Sequence, residues 1–130
     1  MGKYIVVLVT VLLVLTFAGC QKNNSAKVYK QISMDEAVKI MEEQTGYIIL
    51  DVRTAAEYTQ GHIPNAINVA NENIGTEEIK ELPDKEQLIL VYCRSGNRSK
   101  QAAQKLADLG YTNIQEFGGI NSWTGEVVSE

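Results

Sequence analysis

The sequence predicts a single α/β domain in which a mainly parallel sheet is flanked by helices. Apolar runs of strand length alternate with segments whose apolar residues recur at helical spacing, and the connections between them are short. Two of the runs, residues 47–51 and 87–93, are almost continuously hydrophobic. Such runs are typical of strands that are covered on both faces of a parallel sheet.

The domain begins with a predicted strand and helix. A short strand over residues 27–33 leads into a capping box formed by Ser33 and Glu36, a pattern that marks a helix N-terminus. The apolar spacing that follows predicts a helix to about residue 44, and Gly46 ends it.

The middle of the chain continues the alternation. After the buried strand at residues 47–51, residues 54–61 predict one or two helical turns, and residues 66–69 a short strand. The acidic segment at residues 76–82 predicts a short helix that is halted by Pro83.

The last third contains the strongest signals for a strand and a helix. Residues 87–93 form the strongest predicted strand, and a helical stripe of apolar residues follows at residues 98–109. Gly110 caps that helix. Residues 113–117 predict a last strand, and residues 118–126 a closing turn or short helix.

Residues 1–19 have the pattern of a secretory signal, in which Lys3 precedes an uncharged apolar run. The run is shorter than the ~20 residues that span a bilayer. It ends in TFAGC, which resembles the lipobox of bacterial lipoproteins. The resemblance implies that Cys20 is lipidated and that the domain lies in the bacterial cell envelope, on the outer face of a membrane. An uncleaved short anchor and a plain cleaved signal remain alternatives.

Residues 20–27 are polar and predict a tether, so the domain spans residues 28–130. The chain has a formal net charge of −4, and its basic residues cluster only at residues 94–100. This distribution argues against nucleic acid as a partner. We also expect no metal, because a single histidine and a single free cysteine do not form a metal site.

Cys93 ends the strongest predicted strand and is one of only two cysteines. If Cys20 is lipidated, Cys93 has no partner within the chain, and an odd cysteine in an exported protein indicates either a free reactive thiol or an intermolecular partner. The alternatives are a Cys20–Cys93 disulfide and a buried core cysteine.

The loop after Cys93 is suited to stabilising a thiolate. A loop that enters a helix N-terminus can turn its backbone N–H groups inward, and neighbouring cations lower a thiol pKa further. Glycine supplies the backbone freedom that such a loop needs. The candidate loop residues are Arg94, Ser95, Gly96, Asn97 and Arg98.

Three stretches together resemble the rhodanese (sulfurtransferase) family. CRSGNRS at residues 93–99 resembles its active-site loop, DVRTAAEYTQGHIPNAINV at residues 51–69 its other signature, and FGGINSW at residues 117–123 its closing segment. The resemblance implies a rhodanese-like fold with helices on both faces of the sheet, in a domain that we expect to be a monomer.

The resemblance also implies a reaction. Cys93 would take the outer sulfur of a small anionic donor such as thiosulfate, and the resulting persulfide would pass to a thiol or cyanide acceptor. The arginines would attract the donor, and no cofactor is implied. Phosphatases and arsenate reductases of this fold have a loop one residue longer than the C-x4-R spacing here, which favours sulfur transfer. A non-catalytic or redox-sensing module remains an alternative.

Asp51 and Arg53 are the remaining candidates, and the resemblance places both close to the loop. The residues alone allow another interpretation, a structural ion pair between Arg53 and Glu57 at a spacing of four. His62 is the only histidine, and we interpret it as a structural residue of a turn.

Overall fold

The computed structural model describes residues 28–129. The predicted signal of residues 1–19, the lipidation of Cys20 and the tether that follows it lie outside the described residues. Among residues 28–129, no helix combines the length and hydrophobicity that crossing a membrane requires.

Within residues 28–129, five strands form one sheet, and every pairing between them is parallel. The strands are β1 Lys30–Gln31, β2 Tyr47–Asp51, β3 Ile67–Asn68, β4 Leu88–Cys93 and β5 Ile114–Gly119. Their order across the sheet is β1-β5-β4-β2-β3. The most apolar strand, β4, is therefore central, and its carboxyl end carries Cys93.

Three α-helices and two short 3-10 helices complete the fold of the part of the chain that the structure describes. The α-helices are α1 Met34–Glu43, α2 Ala55–Gln60 and α3 Asn97–Asp108, and the 3-10 helices are Asn71–Asn73 and Ile120–Ser122. Residues of α3 pack in the core cluster on one face of the sheet. Residues of α1 and α2 pack in the second cluster, which contains Leu90 and Tyr92 of β4. The predicted parallel sheet with helices on both faces is confirmed.

The two N-terminal helices are capped by side chains. The Oγ of Ser33 accepts a hydrogen bond from the N–H of Glu36 at 3.1 Å at the start of α1. A reciprocal capping box forms at α2, between Thr54 and Glu57. Caps of this kind satisfy backbone N–H groups that lack an intrahelical partner.

The predicted acidic helix at residues 76–82 is wrong. Residues 75–82 form bends and a turn instead, and Ile79 and Leu82 enter the core. A seven-residue segment is too short to hold a helix by itself, and the residue before a proline is disfavoured in helical geometry. The burial of two apolar anchors therefore determines the path of this segment.

The buried hydroxyl of Tyr92 links three parts of the fold. It donates a hydrogen bond to Oδ2 of Asp51 at 2.7 Å and accepts one from the N–H of Ile63 at 3.1 Å. The side chain is fully buried. It thereby connects β4 to the end of β2 and to the turn that follows α2.

We predict that Tyr92→Phe lowers the free energy of unfolding by about 1–3 kcal/mol, because it removes partners from a buried carboxylate and a buried N–H group. Urea denaturation measures the loss. Tyr47→Phe is the matched control, since its hydroxyl bonds one backbone carbonyl at a partly buried site and its loss costs about 1 kcal/mol or less. Equal losses in the two variants would contradict the prediction.

Candidate active site

Cys93 is a free thiol held by the loop that follows it. The residue is 1% exposed. The N–H of Gly96 donates a hydrogen bond to its Sγ at 3.0 Å, and the Oγ of Ser99 lies 3.4 Å from the same atom. The sulfur is therefore enclosed by the loop and by the first turn of α3.

Burial by itself raises the pKa of the Cys93 thiol, because a thiolate is poorly solvated inside a protein. Hydrogen bonds from the Ser99 hydroxyl and from the backbone N–H groups of Ser99, Gly96 and Ser95 outweigh this effect. The pKa of Cys93 consequently lies below its ordinary value. The loop supplies donors to the charged form, as the sequence predicted.

The loop residues differ in what they expose. The side chains of Arg94, Ser95 and Asn97 are exposed, whereas Gly96 is buried and Arg98 is partly buried. Gly96 precedes α3 with a φ of 109°, which lies in the left-handed region that only glycine adopts without strain. The turn that aims the N–H of Gly96 at the sulfur therefore depends on glycine.

A second glycine lets the end of β5 contact the loop. A Cβ at Gly119 would lie 2.1 Å from the carbonyl oxygen of Arg94, far inside van der Waals contact. The N–H of Asn121 donates to the same carbonyl at 3.2 Å. The closing segment thus supports the loop from behind, which gives a steric reason for the FGG sequence.

Arg98 pairs with Glu57 of α2. Its Nη1 and Nη2 donate to the two carboxylate oxygens at 2.6 and 3.0 Å. The alternative ion pair between Arg53 and Glu57 is therefore wrong, because both carboxylate oxygens of Glu57 accept hydrogen bonds from an arginine 41 residues away. Helical spacing could not have indicated that partner.

Arg53 pairs instead with Asp51. Its Nη2 lies 2.6 Å from Oδ2 of Asp51 and donates to the carbonyl of Gly61 at 2.6 Å. Both side chains are buried. The carboxylate of Asp51 accepts hydrogen bonds from Arg53 and Tyr92, so the pair stabilises the wall of the site.

A cavity of about 260 Å³ adjoins the loop. Its lining includes two arginines, of which Arg53 is paired with Asp51 and Arg94 is exposed, and one carboxylate, Glu57, which is paired with Arg98. The lining residues are Arg53, Glu57, Gln60, Gly61, Arg94, Ile120 and Asn121. A larger cavity of about 410 Å³ includes four glutamates and none of the loop residues, so an anion is expected in the smaller one.

The single histidine of the chain, His62, makes contacts that are structural. His62 stacks on Tyr58 with ring centroids 3.7 Å apart, and its backbone forms a bridge with Val128 near the end of the chain. No group of three potential metal ligands comes together within residues 28–129.

Sequence reasoning missed two residues. Ser99 belongs to the CRSGNRS stretch but is not among the candidate site residues that the sequence predicts. Its hydroxyl nevertheless lies beside the sulfur of Cys93. Glu116 of β5 is buried and bonds that hydroxyl at 2.7 Å. The only available signal was a charge inside an apolar strand, where an acidic residue is uncommon.

A buried thiol of lowered pKa, in a short loop between a parallel strand and a helix, defines a cysteine-centred α/β domain. Residues 33–126 match the family described as Rhodanese-like domain, and the chain belongs to this family.

Named relatives and a solved structure agree with this assignment. The chain is 35% identical over 71 residues to the thiosulfate sulfurtransferase PspE of Escherichia coli (strain K12), covering 55% of this chain and 68% of that protein. It is 35% identical over 97 residues to the thiosulfate sulfurtransferase GlpE of Coxiella burnetii (strain RSA 331 / Henzerling II), covering 74% and 88%. The structure described as rhodanese with anions from E. coli has a TM-score of 0.59 at 33% identity, covering 65% of this chain and 99% of that one. These relatives support a sulfurtransferase activity in general.

We predict that Glu57→Gln destabilises the protein in a pH-dependent way. Hydrogen bonding to Arg98 lowers the pKa of Glu57 to about 2 from an ordinary value of 4.5. The stabilisation is therefore complete above pH 4.5 and is lost as the pH falls towards 2. About a quarter to a third of each side chain is exposed, and solvent therefore screens the ion pair. We expect the free energy of unfolding of Glu57→Gln to be about 1–2 kcal/mol lower than that of wild type at pH 7, which is less than the pKa shift alone would give.

Urea denaturation of wild type and variant at pH 7, 5 and 3.5 checks this prediction. The exposed Glu42→Gln serves as the control for removing a charge. A difference between wild type and Glu57→Gln that stays constant or grows as the pH falls would contradict it.

Proposed function

We propose that the protein transfers a sulfane sulfur from a small anionic donor such as thiosulfate to a thiophilic acceptor, through a persulfide on Cys93. The observation that carries the proposal is the position of the Cys93 sulfur. It lies at the end of the central strand, and backbone N–H groups of a C-x4-R loop donate to it.

The first step is attack by the Cys93 thiolate on the outer sulfur of thiosulfate. A bond forms between Sγ and the outer sulfur, and the sulfur–sulfur bond of the donor breaks. Sulfite leaves with the electron pair of that bond, and the negative charge of the thiolate moves to the terminal sulfur of the persulfide. The lowered pKa of Cys93 raises the fraction of the thiol that is present as reactive thiolate.

The second step returns the enzyme to its starting state. An acceptor such as cyanide attacks the terminal sulfur, the persulfide bond breaks, and its electron pair remains on Sγ as thiolate. The products are thiocyanate and free Cys93. Backbone N–H groups of the loop stabilise the anionic sulfur in both states, since oriented donors lose no energy to reorganisation during the reaction.

Charge near the loop favours an anionic donor. The exposed Arg94 lines the cavity beside the loop, whereas the guanidinium of Arg98 is compensated by Glu57. Arg94 is accordingly the group that we assign to donor attraction. The named relatives, which are thiosulfate sulfurtransferases, support the same donor class.

We predict that the full chain gains the mass of one sulfur atom after brief exposure to thiosulfate, and that cyanide removes it. Intact-mass spectrometry measures the gain, and assays of sulfite and thiocyanate measure the two products. Cys93→Ser, which is nearly isosteric, retains the fold and neither gains sulfur nor forms thiocyanate. Failure of a folded, alkylatable protein to gain sulfur from thiosulfate or from a persulfide donor would refute the proposal.

We further propose that the signal is cleaved before Cys20 and that a lipid on this cysteine holds the domain, as a monomer, at the outer face of a bacterial membrane. The support is the TFAGC sequence behind an apolar run. Such a tether leaves the domain free to meet soluble donors and acceptors.

The lipid proposal predicts that Cys20→Ser abolishes incorporation of radiolabelled palmitate in a bacterial host and removes the protein from the detergent phase of a Triton X-114 partition. Cys93→Ser is the matched control, because it removes the other cysteine and should leave the label in place. Labelling that survives Cys20→Ser would contradict lipidation at this residue.

A further inference from the structure

A buried carboxylate lies behind the active-site cysteine. Glu116 is 3% exposed and belongs to β5, on the side of the sheet that α3 covers. Its Oε1 accepts hydrogen bonds from the Ser99 hydroxyl at 2.7 Å and from the N–H of Gly118 at 2.9 Å. Neither ion pair found within residues 28–129 includes Glu116.

The Ser99 hydroxyl has one proton and several acceptors. Its Oγ is 2.7 Å from Oε1 of Glu116, 3.0 Å from the carbonyl of Gly96 and 3.3 Å from the carbonyl of Gly118. The Sγ of Cys93 lies 3.4 Å away. The carboxylate is the closest acceptor and the charged one, so it forms the strongest of these hydrogen bonds.

We propose that Glu116 is a positioning residue that controls the ionisation of Cys93, because its carboxylate and the thiolate compete for the single hydroxyl proton of Ser99. The inference rests on the proposed function, since its consequence is the supply of thiolate for attack on the sulfur donor.

The competition follows from the two arrangements of the hydroxyl. When Ser99 donates to Glu116, it offers Sγ a lone pair, which suits the thiol. When Cys93 ionises, the proton of Ser99 turns towards the sulfur, and Glu116 retains only the N–H of Gly118. Two anions that face one donor in a buried site disfavour each other, so Glu116 holds part of Cys93 in the protonated form.

The persulfide relieves this competition. Its negative charge lies on the outer sulfur, one bond farther along the cysteine side chain, and Sγ itself is uncharged. Ser99 is then free to donate to Glu116 again. The carboxylate therefore destabilises the free thiolate more than the loaded cysteine, and it favours retention of the sulfur once it has been accepted.

Other charged groups around Cys93 come from the loop, α2, α3 and β2. The charged groups of α2, α3 and β2 belong to two separate ion pairs, and substitution of Glu116 leaves both pairs intact. The groups are Arg94, Arg98 with Glu57, and Asp51 with Arg53.

The test is the pH dependence of iodoacetamide alkylation in the full chain, with Cys20→Ser present so that only Cys93 reacts. Glu116→Gln keeps the shape of the side chain and removes its charge. We expect the alkylation midpoint to move to lower pH by about one unit, a tenfold gain in thiolate below both midpoints. Glu86→Gln removes an exposed charge before β4 and should leave the midpoint unchanged.

Ser99→Ala separates transmission through the hydroxyl from direct repulsion. We expect the midpoint of this variant to rise, because a donor to the thiolate is lost. Addition of Glu116→Gln to Ser99→Ala should then shift the midpoint less than it does in the wild-type background. If Glu116→Gln does not fold, Glu116→Asp withdraws the carboxylate from Ser99 and should give a smaller shift in the same direction.

An unchanged or raised midpoint in a folded Glu116 variant would overturn the proposal, as would equal shifts with and without Ser99. Alkylation involves no sulfur donor, so these outcomes are independent of whether the protein transfers sulfur. If it does, Glu116→Gln should also lower the loaded fraction at a fixed ratio of thiosulfate to sulfite, above both midpoints.

Discussion

Burial of an ionisable sulfur is the constraint on which the rest of the site depends. Cys93 is almost inaccessible, so water cannot solvate its thiolate, and the protein has to provide donors in its place. Backbone N–H groups supply most of them, and they converge only because Gly96 adopts a left-handed conformation at the start of α3. The loop also needs support from behind, which the close contact between Gly119 and the Arg94 carbonyl provides.

Among residues 28–129, ion pairing around the site leaves Arg94 as an exposed cation that lines the adjoining cavity. Asp51 compensates Arg53 inside the fold, and Glu57 compensates Arg98 at its edge. The Arg53–Asp51 pair is buried, and a buried pair contributes to geometry more than to net stability. The Arg53 pair joins the end of β2 to the Gly61 turn, whereas the Arg98 pair joins α2 to α3. The two arginines thus hold the elements around the site together.

The fold could be predicted where local and tertiary preferences agree. Residues 47–51 were expected to form a buried strand, and β2 has those bounds, because a continuous apolar run has no stable place except inside a sheet. The helix predicted at residues 76–82 does not form, because burial of Ile79 and Leu82 in the core outweighs a helical preference that is weak in so short a segment. The loop around Cys93 was predictable from contiguous residues. The partners of Arg98 and Ser99 were not, since they arise from packing between elements that are distant in sequence.

Charged groups at the surface and in the interior have opposite effects on the stability of negative charge near the Cys93 sulfur. A chain with a net charge of −4 repels small anions on average, so local positive potential is needed wherever an anion is to approach. Arg94 provides it at the cavity beside the loop, and the larger cavity with its four glutamates does not. Behind the sulfur, Glu116 forms no ion pair with any residue that the structure describes, and it presents negative charge to Sγ through Ser99. Negative charge is therefore more stable on the outer sulfur of the persulfide than on Sγ of the thiolate. This difference favours the sulfur-loaded cysteine over the free thiolate.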